Sequence, residues 1–600
     1  MRPWAWVFVA AAAGTAFFAC GGREARALKE VPGLPLSTLP EAAICAKCHP
    51  TVVRKWLEHG MADAMGPLEP DRLLAEPDSV WQNHPPSGAR YRVEEAAGGG
   101  WKIAEERIAP VPGLPPPRRE MQLRARIGAG VQDMSFVAVE QGRWFFAPLE
   151  HTRAHGWTAS PFQLAGTGAG LGFRVTPDCL SCHTEAPLPH PFPFHALGEF
   201  PLRGISCAAC HGDSSQHAKD GVSPILNPSD LPPARQLDLC ARCHLEGDAH
   251  IEMLPESAPP FLPGADLLAR RAVLVSRAPG AAAPFVSQVQ RLSLSACFRA
   301  SPEMTCTSCH DPHSPPRRQT RAGLAAACSD CHRDLSHPPV NAASDQDCVT
   351  CHMPSIEPMD LPGARMADHW IRRRPEAQAP HGGFQEHEAP DGNWEPFRYR
   401  SSDPARWSEA EQVVLRSMAL ASLGRHAEAL PGFEAWQKAP PVLVSPLTRL
   451  PMFHFMRGLT LTALQQPVEA TAAYRSALRL APDFAEARLN LGWLLVEQGA
   501  WDEALVEAQT LSLAFPAADG PWLLAAGAHA AAHRDSEAMS AIQKSLQAFG
   551  AQAPVLQRLG RAAAAAGDAG LALRALLAAW SLDPNLPGLA AELRASLSER

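Results

Sequence analysis

The sequence predicts a mostly α-helical chain of two unlike halves. The first half is short helices and loops wrapped around bound cofactors, with a small β insertion. The second is an α-solenoid. Two observations carry this prediction: Cys-x-x-Cys-His is spelled seven times before residue 353, and small residues recur every 34 positions from Gly458 onward. Composition sets the bounds. Six hundred residues are too many for one core, and 46% hydrophobic against 19% charged residues excludes a disordered chain. The 54 basic and 62 acidic residues leave −8, which argues against a nucleic-acid binder working through bulk positive charge.

Residues 1–20 read as an export signal: one Arg, an apolar run, then small residues before Cys20-Gly21-Gly22. Phe17-Phe18-Ala19-Cys20 ends like a lipoprotein signal, which makes Cys20 the candidate lipidation site; an uncleaved anchor is the alternative. The expectation is an exported protein, a periplasmic or outer-membrane lipoprotein held to the membrane by its lipid.

The seven motifs are Cys45-Cys48-His49, Cys179-Cys182-His183, Cys207-Cys210-His211, Cys240-Cys243-His244, Cys306-Cys309-His310, Cys328-Cys331-His332 and Cys348-Cys351-His352. They use 14 of the 16 Cys. Two thiols at this spacing form thioethers to the two vinyl groups of one haem, and the next imidazole meets the iron from the same side. Zinc competes for any single copy, but a zinc site gains nothing from His directly after the second Cys. Seven covalently attached c-type haems are therefore expected, with the seven motif His as proximal iron ligands. Cys297 is left over and reads as a small buried thiol.

Six motifs fall between residues 179 and 352, so the porphyrins must share walls and the helices need only be short. Each low-spin iron needs a second axial ligand. His59, His217, His313 and His369 follow motifs closely and are the candidate distal ligands. A His so near its own motif cannot reach that haem's far face and would cap a neighbour instead.

Period-two patterning at 91–94, 101–104, 134–139 and 144–146 predicts the β insertion, at about 88–150, inside a haem domain spanning 40–372. Residues 373–405 turn Pro-, Gly- and charge-rich and read as a linker. From 406 to 600 the pattern is tetratricopeptide. Gly458, Gly492, Ala526 and Gly560 are followed twelve residues later by Ala470, Ala504, Ala538 and Ala572, with Pro482, Pro516 and Pro584 at repeat ends. An offset copy at Ala429 and Phe433 makes five repeats, with a capping helix at 589–600. Such arrays present a groove to a partner protein.

The stretches CAKCHPTVVRKWLEHGMADAM, GISCAACHGDSSQHA, LCARCHLEG, TCTSCHDPH and DCVTCHMP with ADHWIRRRP together resemble exported multihaem c-type cytochromes carrying tetratricopeptide repeats. Their haem region is similar to the tetrahaem cytochrome of nitrification. The resemblance implies haem binding and electron transfer, and it marks His59, His217, His313 and His369 as matched family histidines. Two enzymatic relatives are not supported. Pentahaem nitrite reductase needs C-x-x-C-K, which is absent, and hydroxylamine oxidoreductase cross-links a Tyr to its haem. Of the three Tyr here, Tyr399 falls in the linker and Tyr474 in a repeat. The leading expectation is an electron relay whose repeats dock a redox partner. The alternative is a multihaem oxidoreductase with one open-coordination haem acting on a small nitrogen or sulfur compound, and a third reading is an assembly scaffold.

Overall fold

The computed structural model describes residues 40–68, 81–84, 89–107, 118–129, 133–140, 142–160, 170–175, 180–184, 204–254, 261–276, 283–316, 321–333, 348–361, 364–373, 393–437, 446–516, 518–549, 553–565, 567–582, 586 and 588–598. The signal segment with Cys20, the second motif's Cys179, and Pro584 lie outside the described residues.

Among the described residues, the motifs form single turns of helix. The spacing from first Cys to His is four, so the His amide donates to the first Cys carbonyl: His49 to Cys45 at 2.8 Å, His211 to Cys207 at 3.0 Å, His310 to Cys306 at 3.0 Å and His332 to Cys328 at 2.9 Å. The helices bearing motifs are short where the turn suffices, as in Ala208–His211 and Cys348–His352. The fourth motif instead ends a longer helix, Pro233–His244.

The β insertion is larger than the sequence suggested. Eight strands run from β1 (Met65–Pro67) through β2 (Gln82–His84), β3 (Ala89–Glu95), β4 (Trp101–Arg107), β5 (Arg118–Ile127), β6 (Asp133–Glu140) and β7 (Arg143–Thr152) to β8 (Gly156–Ala159). β2 to β8 follow one another in sequence order as an antiparallel meander, and β1 pairs with the far end of β5. β2 comes back beside β8, so the sheet is a nearly closed barrel. A mostly α fold is thus corrected to about half helix with substantial sheet. β5 escaped notice because its apolar alternation of Met121, Leu123, Ala125 and Ile127 is interleaved with Gln122, Arg124 and Arg126, which make the stretch look like a charged loop.

Inside the barrel pack Tyr91, Ile103, Met121, Phe136 and Phe145. Its outer face carries Met65, Ile127, Val137 and Phe146, which close on Leu180 of the second motif. β7 is buried along its whole length because both of its faces are covered. Arg126 ties the barrel to the first motif's segment: it pairs with the Asp63 carboxylate and donates to the Asp63 and Gly128 carbonyls.

Beyond the barrel, β9 (Ala249–Glu252) and β10 (Arg271–Ser276) form a second sheet, and β11 (Ser355–Ile356) pairs with β12 (Met366–Ala367). The third strand of that second sheet, β13 (Trp394–Pro396), comes from the stretch expected to be linker. Residues 393–405 are structural: Trp394 is fully buried, and the Arg400 guanidinium donates to the carbonyls of Phe298, Ser301 and Met304. Pro, Gly and charge marked irregular backbone correctly, but irregular backbone can still be packed. Residues 374–392 lie outside the described residues.

Among the described residues, the solenoid holds five helix pairs and a final helix, Leu589–Ser598. The 34-residue small positions sit where helices touch. A Cβ on Gly458 would stand 2.6 Å from the Tyr474 ring, and one on Gly492 would stand 2.3 Å from Leu524. A second 34-residue register marks the turns within pairs: Gln465, Gly499, His533 and Gly567 all have positive φ. Gly458→Ala tests the first register. Helix propensity alone would favour Ala by about 1 kcal/mol, whereas forcing a methyl against a ring costs about 1–3 kcal/mol. Tyr474 is fully buried and hydrogen-bonded to Thr462 at 3.2 Å, so it cannot retreat. The expected result is a lower thermal midpoint; a rise would show that the ring yields.

Solenoid and haem half share structure at two places. The first repeats form one core with β9, β10 and Trp394, and Asp519 of the fourth repeat forms a buried ion pair with Arg143 of β7 at 2.8 Å.

Candidate functional site

The motif turns converge on one connected cavity of about 4560 Å³. A site for one drug-sized ligand is about 300–1,000 Å³, so this space suits several large cofactors sharing walls. Cysteines from all seven motifs line it, with Val53, Trp56, Leu226, Val289 and Leu324 among the apolar wall. Neighbouring motifs touch: Cys182 reaches Cys243, and Cys240 reaches Cys306. Cys297 also lines the cavity, beside Cys309 and Cys328.

Three motif histidines face a second histidine. The His49 and His217 ring centres are 6.4 Å apart and 16° from parallel; those of His211 and His313 are 6.1 Å and 10°. His310 and His369 stand 6.2 Å apart at 33°. An imidazole nitrogen sits about 2 Å from a metal it ligates and about 1 Å from its own ring centre, so two rings gripping one ion from opposite sides stand about 6 Å apart. In each pair the second ring follows a different motif in sequence.

The tautomers agree with this spacing. The Nδ1 of His211 lies 2.9 Å from the Leu226 carbonyl, that of His217 2.8 Å from Ser223, that of His352 2.7 Å from Arg372 and that of His369 3.0 Å from Ala367. A carbonyl only accepts, so the ring proton sits on Nδ1 and Nε2 keeps the lone pair a metal needs. Burial pushes His369 down to about 4 and lowers His183, His244 and His313 as well, keeping these rings neutral. Neutral imidazole is the form that ligates.

His59 is held differently. It lines the cavity and stacks on Trp56 at 5.3 Å, but its Nδ1 accepts from the Met61 amide at 3.1 Å, which places the ring proton on Nε2. Tyr399, expected in a linker, is instead buried against the fourth motif's helix, its hydroxyl donating to Asp238 at 2.5 Å.

Supporting residues went unread in the sequence. Asp220 accepts from the Val222 and Ser223 amides at 3.0 and 2.9 Å, fixing the loop whose Ser223 carbonyl orients His217. The Ser223 hydroxyl, which also donates to it, and then these amides hold its carboxyl far below the usual range. The Asp-Gly pair in HAKDGVS was a legible turn signal. Arg291 grips Asp368 through two hydrogen bonds, at 2.9 and 2.7 Å, next to His369. No sequence signal links these two, which are 77 residues apart.

Paired thiols and imidazoles on single helical turns, around a shared cavity with histidines facing at metal-ligating distance, define a protein that binds c-type haem covalently. Three family models match in agreement: "Cytochrome c554 and c-prime" over 162–212, "Doubled CXXCH motif" over 300–337 and "Tetratricopeptide repeat" over 461–526. The chain is a multihaem c-type cytochrome carrying tetratricopeptide repeats. No curated protein matches it. Solved structures similar to it include MamA 41-end from Desulfovibrio magneticus RS-1, 19% identical over 30% of this chain and 99% of that one, with a TM-score of 0.26. A thermophilic TPR protein in Thermus thermophilus is 17% identical over 32% and 99%, also at 0.26. A tetratricopeptide repeat protein from Parabacteroides merdae ATCC 43184 is 18% identical over 32% and 72%, at 0.26.

Proposed function

We propose that this cytochrome relays electrons outside the inner membrane through seven covalently attached haems, and that its repeats dock the redox partner. The observation that carries the reading is the set of three facing histidine pairs. Two imidazoles available to each iron would hold it without leaving a place for substrate, which favours electron exchange. Haem supplies one-electron Fe(III)/Fe(II) exchange. The chain's part is to place it: Cys45 with Cys48, Cys179 with Cys182, Cys207 with Cys210, Cys240 with Cys243, Cys306 with Cys309, Cys328 with Cys331 and Cys348 with Cys351 each hold one.

The motif histidines would hold the haem irons, and His217, His313 and His369 would join His49, His211 and His310 in doing so. Contact between cysteines of neighbouring motifs supports close edges and fast transfer. An export signal ending at Cys20 puts the protein in the periplasm or on the outer membrane, held by a lipid.

Two measurements on the purified holoprotein test this. The intact mass should carry seven haems, and the oxidised spectrum should be dominated by low-spin, six-coordinate iron. A shortfall in mass removes motifs from the assignment; a substantial high-spin fraction that binds small ligands would replace the relay with an oxidoreductase.

A further inference from the structure

One part of the cavity wall is acidic and comes from the barrel. Ser135 of β6 lies opposite Glu150 of β7, and Asp133 lies opposite Thr152, so Asp133, Ser135 and Glu150 share a face. All three line the cavity that Cys182 and His183 also line. Glu150 is 2% exposed and accepts from Ser135 Oγ at 3.3 Å. His151, next along β7, turns to the other face and meets Trp157 edge-on at 5.3 Å.

The second motif adjoins this wall. Leu180 packs with Ile127 and Phe146, the His183 ring lies near the Ala64 backbone, and the Ala64 carbonyl accepts from Gly128 at 2.8 Å. Gly128 in turn abuts the Asp133 carbonyl. The titratable group beside Glu150 is thus Asp133 from β6; β8 presents Thr158 opposite Glu150.

We propose that Asp133 and Glu150 form a proton-binding pair that takes up one proton when the haem of the second motif is reduced. The proposal rests on the haem reading of that motif. Burial, then the Asp133 charge, pushes Glu150 up to about 8, and burial raises Asp133 too. Two carboxylates this close do not both ionise readily. When a one-electron donor such as a dithionite-reduced mediator delivers its electron to the iron, the site gains negative charge. Glu150 then binds a solvent proton, forming its O–H bond, and the net charge is restored. By linkage, the potential of that haem falls as pH rises.

Redox titration of the holoprotein between pH 6 and 9 tests this. One haem should lose about 59 mV per pH unit over part of the range, the one-electron equivalent of a tenfold change in proton concentration. Glu150→Gln should flatten that haem and leave the others unmoved. Asp133→Asn should keep the slope but shift it to lower pH, because it removes the charge that raises Glu150. An infrared carboxylic-acid band that appears on reduction should vanish in E150Q. A slope that persists in E150Q, or flat potentials in the wild type, overturns the proposal. Haem missing by mass from the peptide bearing Cys179 and Cys182 fails the haem reading instead, and the two failures are separable. If E150Q loses haem, the D133N shift and the wild-type infrared band decide.

Discussion

His217→Ala is expected to leave one haem without its second ligand. The oxidised spectrum should gain a high-spin fraction equal to one haem, able to bind a small exogenous ligand, while haem content stays unchanged. The argument is geometric. The His217 ring stands 6.4 Å from His49 and nearly parallel to it, and its Nδ1 is tied to the Ser223 carbonyl, so Nε2 is the free pole. Asp220 locks that loop, so no other side chain is carried into the vacated place. His217→Met separates ligation from packing: a thioether would keep the iron six-coordinate and raise its potential, as Met/His ligation does in cytochromes c. An H217A protein whose spectrum is wholly low-spin would refute the pairing.

Asp519→Ala is expected to cost about 3–5 kcal/mol, the usual penalty for stranding one member of a buried ion pair. Arg143 is 5% exposed at its side chain and Asp519 0%, with N–O at 2.8 Å. Arg174 and Arg119 lie close by, so removing the carboxylate leaves like charges facing each other in a site that already lowers the Arg174 guanidinium to about 10 through burial. The effect should appear as earlier loss of helix on heating and faster protease cleavage of the repeats. The double variant R143M/D519L should recover most of it, because an apolar pair of similar volume replaces a buried ion pair at little cost. If D519A melts within about 0.5 kcal/mol of the parent, the contact is a surface effect and the solenoid is not braced there.

How much was legible divides by range. The motif turns were fully legible, since Cys-x-x-Cys-His closes a single i to i+4 hydrogen bond and needs nothing distant. The solenoid was legible because each helix contacts only its neighbours, so packing writes itself into a 34-residue register. Gly458 against Tyr474 is such a contact. The barrel was half legible. β3, β4, β6 and β7 alternate cleanly, but β1, β2 and β8 are three or four residues long, and β5 hides its alternation among arginines. The supposed linker misled because composition reports backbone irregularity, not burial, and Trp394, Tyr399 and Arg400 are all buried.

By itself, then, the sequence determined the chemistry of attachment and the architecture of the repeats, both set by local spacing. Tertiary structure decided which rings face each other, that Glu150 and His183 line one cavity, and that Asp519 meets Arg143 across 376 residues. Those contacts depend on how the chain returns to itself, and no fixed spacing along the sequence encodes that.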